Sequence, residues 1–378
     1  LIKKIVCAIL LSIVLISCRK DNILIPHLES FTHHYEGSGN LIGRDILSQG
    51  NTIVVCGYGN GANTDEDFVL LFTDSAGNEI HRSFVGSTGE DQCWSFAHTL
   101  DGGFVIAGWS DVNSPGSNDV LIVKTDADGN QQWSKTYGTA YNDLATHIIS
   151  VSNGYVVSGI RGSSGDENSW ILRLNNEGDT LWTCAYGGNG PDGAMSICDN
   201  GNGTYGITGY TNSNGNGGTD GYVMTINDAG TLVGYFPFGT PGYEEPHDIE
   251  KTSGGWAITG HAGTNDIHTH SVFLQLMSDD GSPENFFTYG GHEHDGAESM
   301  IVFHSQIYIA GRSASHDPNQ DAYTVTTDLN GILLNETWIG GTNEDPAYGN
   351  YVDDFQILIT GYSLNATTGR KDIFLIRK

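Results

Sequence analysis

The sequence predicts an all-β fold: a seven-bladed β-propeller of four-stranded antiparallel blades, its ring closed by an N-terminal strand that completes the last blade. Three observations predict it. A glycine ending an apolar run recurs at Gly57, Gly108, Gly159, Gly209, Gly260, Gly311 and Gly361, always 50 or 51 residues apart. A hairpin glycine recurs at Gly77, Gly129, Gly178, Gly230, Gly281 and Gly331, each preceded within a few residues by Asp, Asn or Glu. A third glycine closes a strand at Gly86, Gly138, Gly187, Gly239, Gly290 and Gly340, mostly after an aromatic residue. Three markers sharing one period define an array of repeated units.

The elements follow in order. Residues 1–17 read as a secretory signal: Lys3 and Lys4 precede an apolar run too short to span a bilayer. The run ends in Leu15-Ile16-Ser17-Cys18, which resembles the bacterial lipobox. That resemblance implies cleavage before Cys18, lipidation of Cys18 and attachment to a membrane through the lipid. Residues 18–26 are expected to be a linker, and the Lys20-Asp21 pair in it resembles the surface-export signal of Bacteroidetes lipoproteins. The expected location is therefore the outer membrane, facing outward.

Residues 27–378 carry the repeats. Each unit holds four short runs of strand character, in the second unit around "CWSFAHTL", "GFVIAGW", "DVLIVKTD" and "QQWSKTYG". A four-stranded sheet with both faces apolar must be covered on both sides, and stacking in a ring does this. The last unit ends at Lys378 after three runs, whereas residues 28–44 align with an outer strand and its following loop. Residues 27–36 are therefore expected to supply the missing outer strand of blade seven, which removes a sheet edge. The segments "YGGNGPDGAMSI", "YGGHEHDGAESM" and "NGYVVSG" resemble bacterial seven-bladed β-propeller (SBBP-type) repeats. The resemblance implies an extracytoplasmic propeller and brings no shared catalytic residues. "TDADGNQQW" and "NNEGDTLW" look like the tryptophan-docking motif of quinone-dependent propellers, but Trp133 and Trp182 have Gly234 and Asn285 at the matching place in other units. They are read as structural braces.

The formal charge is −29, from 45 acidic and 16 basic residues, which disfavours nucleic acid and favours cations or basic partners. Cys56, Cys93, Cys184 and Cys198 are too few for a disulfide scaffold. No nucleophile elbow, P-loop or dinucleotide fingerprint is present. A monomer is expected.

Three residue sets could carry function, all on the rim formed by the loops from outer to next inner strand and from second to third strand. Asp91, Asp143, Asp192, Glu245, Asp295 and Asp345 each precede an inner strand. They could ring the channel mouth and attract a cation such as calcium, or brace their own turns by accepting backbone N–H bonds. Tyr58, Trp109, Tyr210 and Tyr362 follow the marker glycine beside Asn- and Gly-rich loops, where they could contact a glycan or pack between blades. His268, His270, His292 and His294 form two close pairs in the fifth unit, and with a carboxylate would suit zinc. The expected role is a binding module for a glycan, protein or cation; the alternative is a polysaccharide hydrolase or lyase, or a metal-dependent enzyme, and a structural envelope protein is third.

Overall fold

The computed structural model describes residues 28–61, 65–112, 118–263, 270–291, 293–316 and 319–378. Cys18 and the leader, His268 and His292 lie outside the described residues. The described chain forms seven four-stranded antiparallel sheets, and no helix occurs among those residues. The inner strands of blades one to seven are Leu41–Gln49, Asp91–His98, Asn142–Val151, Asp192–Asp199, Tyr243–Lys251, Gly296–Phe303 and Ala347–Val352. In blades one to six the chain runs outward from the inner strand. Blade seven takes Ala347–Val352, Ile357–Leu364 and Lys371–Arg377, then Phe31–Tyr35 as its outer strand. Phe31 faces Arg377 and Tyr35 faces Ile373 in that pairing, so the ring closes as the sequence predicts.

The core is a set of layers between neighbouring blades. Blade one meets blade two through Phe68, Leu70, Phe96, Phe104 and Ile106; blade seven meets blade one through Leu358, Leu375, Val55 and Leu71. Both faces of each middle strand are buried, which is why those strands read as continuous apolar runs.

The repeated tyrosine-glycine marker has a mechanical role. Tyr35, Tyr137, Tyr186 and Tyr289 in outer strands each donate their hydroxyl to the carbonyl of the next blade's hairpin glycine: Gly77 at 2.6 Å, Gly178 at 2.5 Å, Gly230 at 2.9 Å and Gly331 at 2.7 Å. Those hairpin glycines have φ near +80°, a conformation that favours glycine. An aromatic ring of the preceding blade also lies over several of them, Trp133 over Gly178 and Trp182 over Gly230. Both tryptophans are thus inter-blade braces.

The marker glycine of the second strand serves a close approach. A Cβ at Gly57 would stand 1.9 Å from the Ile42 carbonyl oxygen, and at Gly108 2.0 Å from that of Gln92. The same contact recurs in every blade, and immediately beyond it each inner strand carries a β-bulge. The register slips at Gly43/Asp45, Cys93/Ser95, Ala145/His147, Ala194/Ser196, Pro246/Asp248, Ala297/Ser299 and Ala347/Gly349.

Candidate functional site at the channel mouth

A bulge leaves one residue unpaired and re-aims its side chain. Here the bulged residues are Arg44, Trp94, Thr146, Met195, His247, Glu298 and Tyr348, and all seven line one cavity of about 80 Å³ on the ring axis. Every blade contributes the same position and a different side chain. In most of the strands the next residue ties neighbouring blades together. Asp45 accepts from Phe96 N at 3.1 Å, His147 Nδ1 from Ile197 N at 3.2 Å, and Asp248 from Met300 N at 2.7 Å and Ser196 Oγ at 2.7 Å. Beyond this waist the channel widens into a vestibule of about 470 Å³ that includes Asp199, Glu250 and Lys251.

In blades five, six and seven the residue after the marker glycine backs the bulged residue of its own blade. His261 lies 4.9 Å from His247 between ring centroids, Tyr362 lies 6.0 Å from Tyr348, and Arg312 donates to Glu298. The aromatic set Tyr58, Trp109, Tyr210 and Tyr362 therefore shares its register with Ile160, His261 and Arg312. Tyr58, Trp109 and Tyr210 are half-buried, Tyr362 is buried, and Tyr210 covers the bare backbone of Gly193.

Two features dominate the waist. The first is Arg44, whose guanidinium carbon sits 4.2 Å from the Trp94 ring and 4.5 Å from the Tyr348 ring. It makes no ion pair with a described residue, and neither Arg44 Nε nor Trp94 Nε1 has a hydrogen-bond partner among them although both atoms are buried. The second is a polar network on blades five and six. His247 Nδ1 is 3.0 Å from Glu298 Oε2, and His247 Nε2 is 3.7 Å from Glu245 Oε1. His261 Nε2 is 3.4 Å from Glu245 Oε2, which also accepts the Tyr243 hydroxyl. Burial alone would lower the pKa of His247, but the charges of Glu298 and Glu245 outweigh it and raise it to about 9. Burial works against ionisation of Glu298 and Glu245 too, yet Arg312 and His247 hold Glu298 well below the usual carboxylate range, and His247 and His261 do the same for Glu245. His261 is pushed down, first by burial.

The six carboxylates do not form a ring at this mouth. Asp91, Asp143, Asp192 and Asp295 are buried and accept the backbone N–H of the residue four positions earlier: Ser87, Thr139 at 2.5 Å, Gly188 at 2.8 Å and Gly291 at 2.7 Å. They brace the loop that enters each inner strand. In blade five that position belongs to Glu244, which accepts Thr240 N at 2.9 Å, and not to Glu245. A one-residue shift in a strand reverses the face a side chain takes. Glu245 is accordingly the one member of the set beside the polar network. Asp345 stays at the junction of blades six and seven, its N–H on the Gln320 carbonyl at 2.8 Å. Of the histidine quartet, His270 and His294 come together at 6.2 Å between centroids, and His270 lies 5.1 Å from His261. The compact trio of metal-ligating groups is instead Glu245, His247 and His261, whose ligand atoms lie within 4.8 Å of one another.

Arg44, Trp94, Glu298, Arg312 and Tyr348 are not singled out by the sequence, and His247 stands there only as one of six histidines of the fifth unit. The signal that could have found them is the marker glycine: it fixes the bulge, and the bulge fixes which residue turns to the axis.

No protein-family profile matches this sequence, and no curated protein matches it. Solved structures do match in fold. The chain is similar to the polysaccharide lyase Uly1, with 10% identity, 89% of each chain covered and a TM-score of 0.55. It is also similar to the phage phi92 endosialidase, with 9% identity, 93% of this chain and 69% of that one covered and a TM-score of 0.51. Sqt1 from Chaetomium thermophilum matches with 11% identity, 92% and 99% coverage and a TM-score of 0.51. At these identities the likeness concerns the fold alone.

Proposed function

We propose that this protein is a lipid-anchored cell-surface binding module that receives an acidic glycan at the channel mouth, with a carboxylate of the ligand held by Arg44. Arg44 carries this reading. In a chain with 45 acidic and 16 basic residues, it is a guanidinium at the axis that closes no ion pair with a described residue, although its charge acts on Glu298 across the waist. Its Nε and the neighbouring Trp94 Nε1 are buried donors awaiting an acceptor. The aromatic rings on either side hold the fork in place and supply the stacking surface that a sugar ring uses. A waist of about 80 Å³ takes a carboxylate or a few waters, so the pyranose itself would rest above it, among Tyr58, Tyr348 and Arg312.

The test is a binding panel of polyuronates against neutral glucans. Polyuronates should bind with salt-sensitive affinity, and Arg44→Met should weaken that binding about 10- to 100-fold, the worth of a hydrogen bond to a charged group. Equal binding of neutral and acidic polymers, or an Arg44→Met variant that binds as well as the parent, overturns the reading. The anchor is tested separately: Cys18→Ala should release the protein from the membrane fraction, and retention there would reject lipidation.

A second reading is favoured by the Tyr243–Glu245–His261 contacts, which place proton-transfer groups beside the same mouth. In that case the polyuronate that binds is also cleaved, and a rise in reducing ends during the same panel would reveal it.

A further inference from the structure

We propose that Glu245, His247 and His261 bind a divalent transition-metal ion, zinc, with an open coordination position facing the channel. The Glu245–histidine distances are close to those of atoms sharing a metal, each histidine lying nearest a different oxygen of the one carboxylate. Ligands at about 2.0–2.1 Å from a tetrahedral zinc stand about 3.3 Å apart. Glu245 Oε2 and His261 Nε2 are 3.4 Å apart, and Glu245 Oε1 and His247 Nε2 are 3.7 Å apart. Charge-assisted hydrogen bonds between such groups would close to about 2.7–2.9 Å. His247 Nε2 is buried and has no hydrogen-bond partner among the described residues.

The surroundings supply the support a ligating histidine needs. His247 Nδ1 is 3.0 Å from Glu298 Oε2, and Glu298 is in turn held by Arg312. A carboxylate on Nδ1 keeps that nitrogen as the N–H donor and orients the ring, so an ion at Nε2 takes the place of the proton that His247 otherwise carries there. The backbone delivers the trio to one place. Glu245 and His261 are directly opposed across the first two strands of blade five, and His247 is that blade's bulged residue. Two imidazoles and one carboxylate leave coordination positions for water or a ligand oxygen, the arrangement of sites that act on a bound molecule and not of closed structural sites. The trio differs from the pairs His268/His270 and His292/His294 that the sequence suggests. It does not depend on the nature of the ligand at Arg44.

The experiment is zinc binding by the purified protein. After removal of metal with a chelator, zinc chloride is titrated in competition with a chromophoric chelator, and cobalt(II) is substituted for its visible spectrum. One equivalent should bind, and cobalt should give the intense bands of a four- or five-coordinate site. His247→Ala and His261→Ala should each weaken zinc at least about 100-fold. Glu298→Gln, which retains all three ligands and a neutral acceptor, should weaken it about 10- to 100-fold. His98→Ala, in the vestibule, should leave it unchanged. The proposal fails if the folded protein takes up no zinc, if cobalt keeps its weak six-coordinate aqua spectrum, or if affinity survives both histidine substitutions. Should either alanine variant lose its fold by circular dichroism, the cobalt spectrum and Glu298→Gln still decide.

Discussion

A Cβ at Gly209 would lie 1.9 Å from the Gly193 carbonyl oxygen, with no flexible side chain to yield. Gly209→Ala is therefore expected to cost about 3 kcal/mol in urea unfolding, the scale of overpacking in a tight core. Gly254→Ala, where no atom lies within 4 Å, should cost no more than about 0.5 kcal/mol. Equal effects at the two sites would mean that the close approach at the bulge carries no constraint. The cysteines differ in the same local way. Cys56 and Cys93 are fully buried with their sulfurs 3.1 Å apart, and burial raises the Cys56 thiol well above its usual value. Cys184 is half-buried on an outer strand. Maleimide should label Cys184 first and reach Cys56 and Cys93 only on unfolding, which peptide mapping would show. The smallness of Cys56 was readable from its register with Ala107, Ser158 and Thr208, but its neighbour Cys93 belongs to the next blade and was not.

At the level of strands, blade seven depends on a segment from the other end of the chain. Arg377 fixes it by donating to the Glu29 carbonyl at 2.9 Å and by covering the Phe31 ring at 4.5 Å. Removing residues 27–36 would expose the edge of Lys371–Arg377, so lower thermal stability and concentration-dependent self-association are expected, measurable by calorimetry and light scattering. An unchanged monomer would show that closure adds nothing. Each tyrosine staple is a smaller unit of the same design, and Tyr289→Phe should cost about 1 kcal/mol through loss of the bond to Gly331. Strands, hairpins and the closing strand were legible because glycine conformation and apolar alternation are local properties. The offset in blade five was not: Glu244 and Glu245 both suit a loop-to-strand junction, and only pairing with the neighbouring elements selects which one braces the loop.

Across the whole molecule, the acidity concentrates a cost in the channel. Glu250 lines the vestibule, where burial and then the charge of Asp248 push its carboxyl up to about 8 from an ordinary 4.5. A carboxyl raised in the folded state stabilises the fold while it is protonated, so this contribution is full below the unfolded value and fades as pH rises towards the folded one. Melting temperature should therefore fall between about pH 4.5 and about pH 8, and Glu250→Gln should shrink that fall by a few degrees in calorimetry. A variant that parallels the parent across this range would remove Glu250 as the cause. The sequence alone determined the number of blades, their four strands, the turn positions and the seam, since each rests on a chemical pattern repeated every 50 or 51 residues. Tertiary structure alone decided what meets at the axis. Arg44, Trp94, His247, Glu298 and Tyr348 come from five different blades and converge because a bulge re-aims one residue per strand. A repeat pattern records what the blades share, whereas the site is made from inward positions at which they differ.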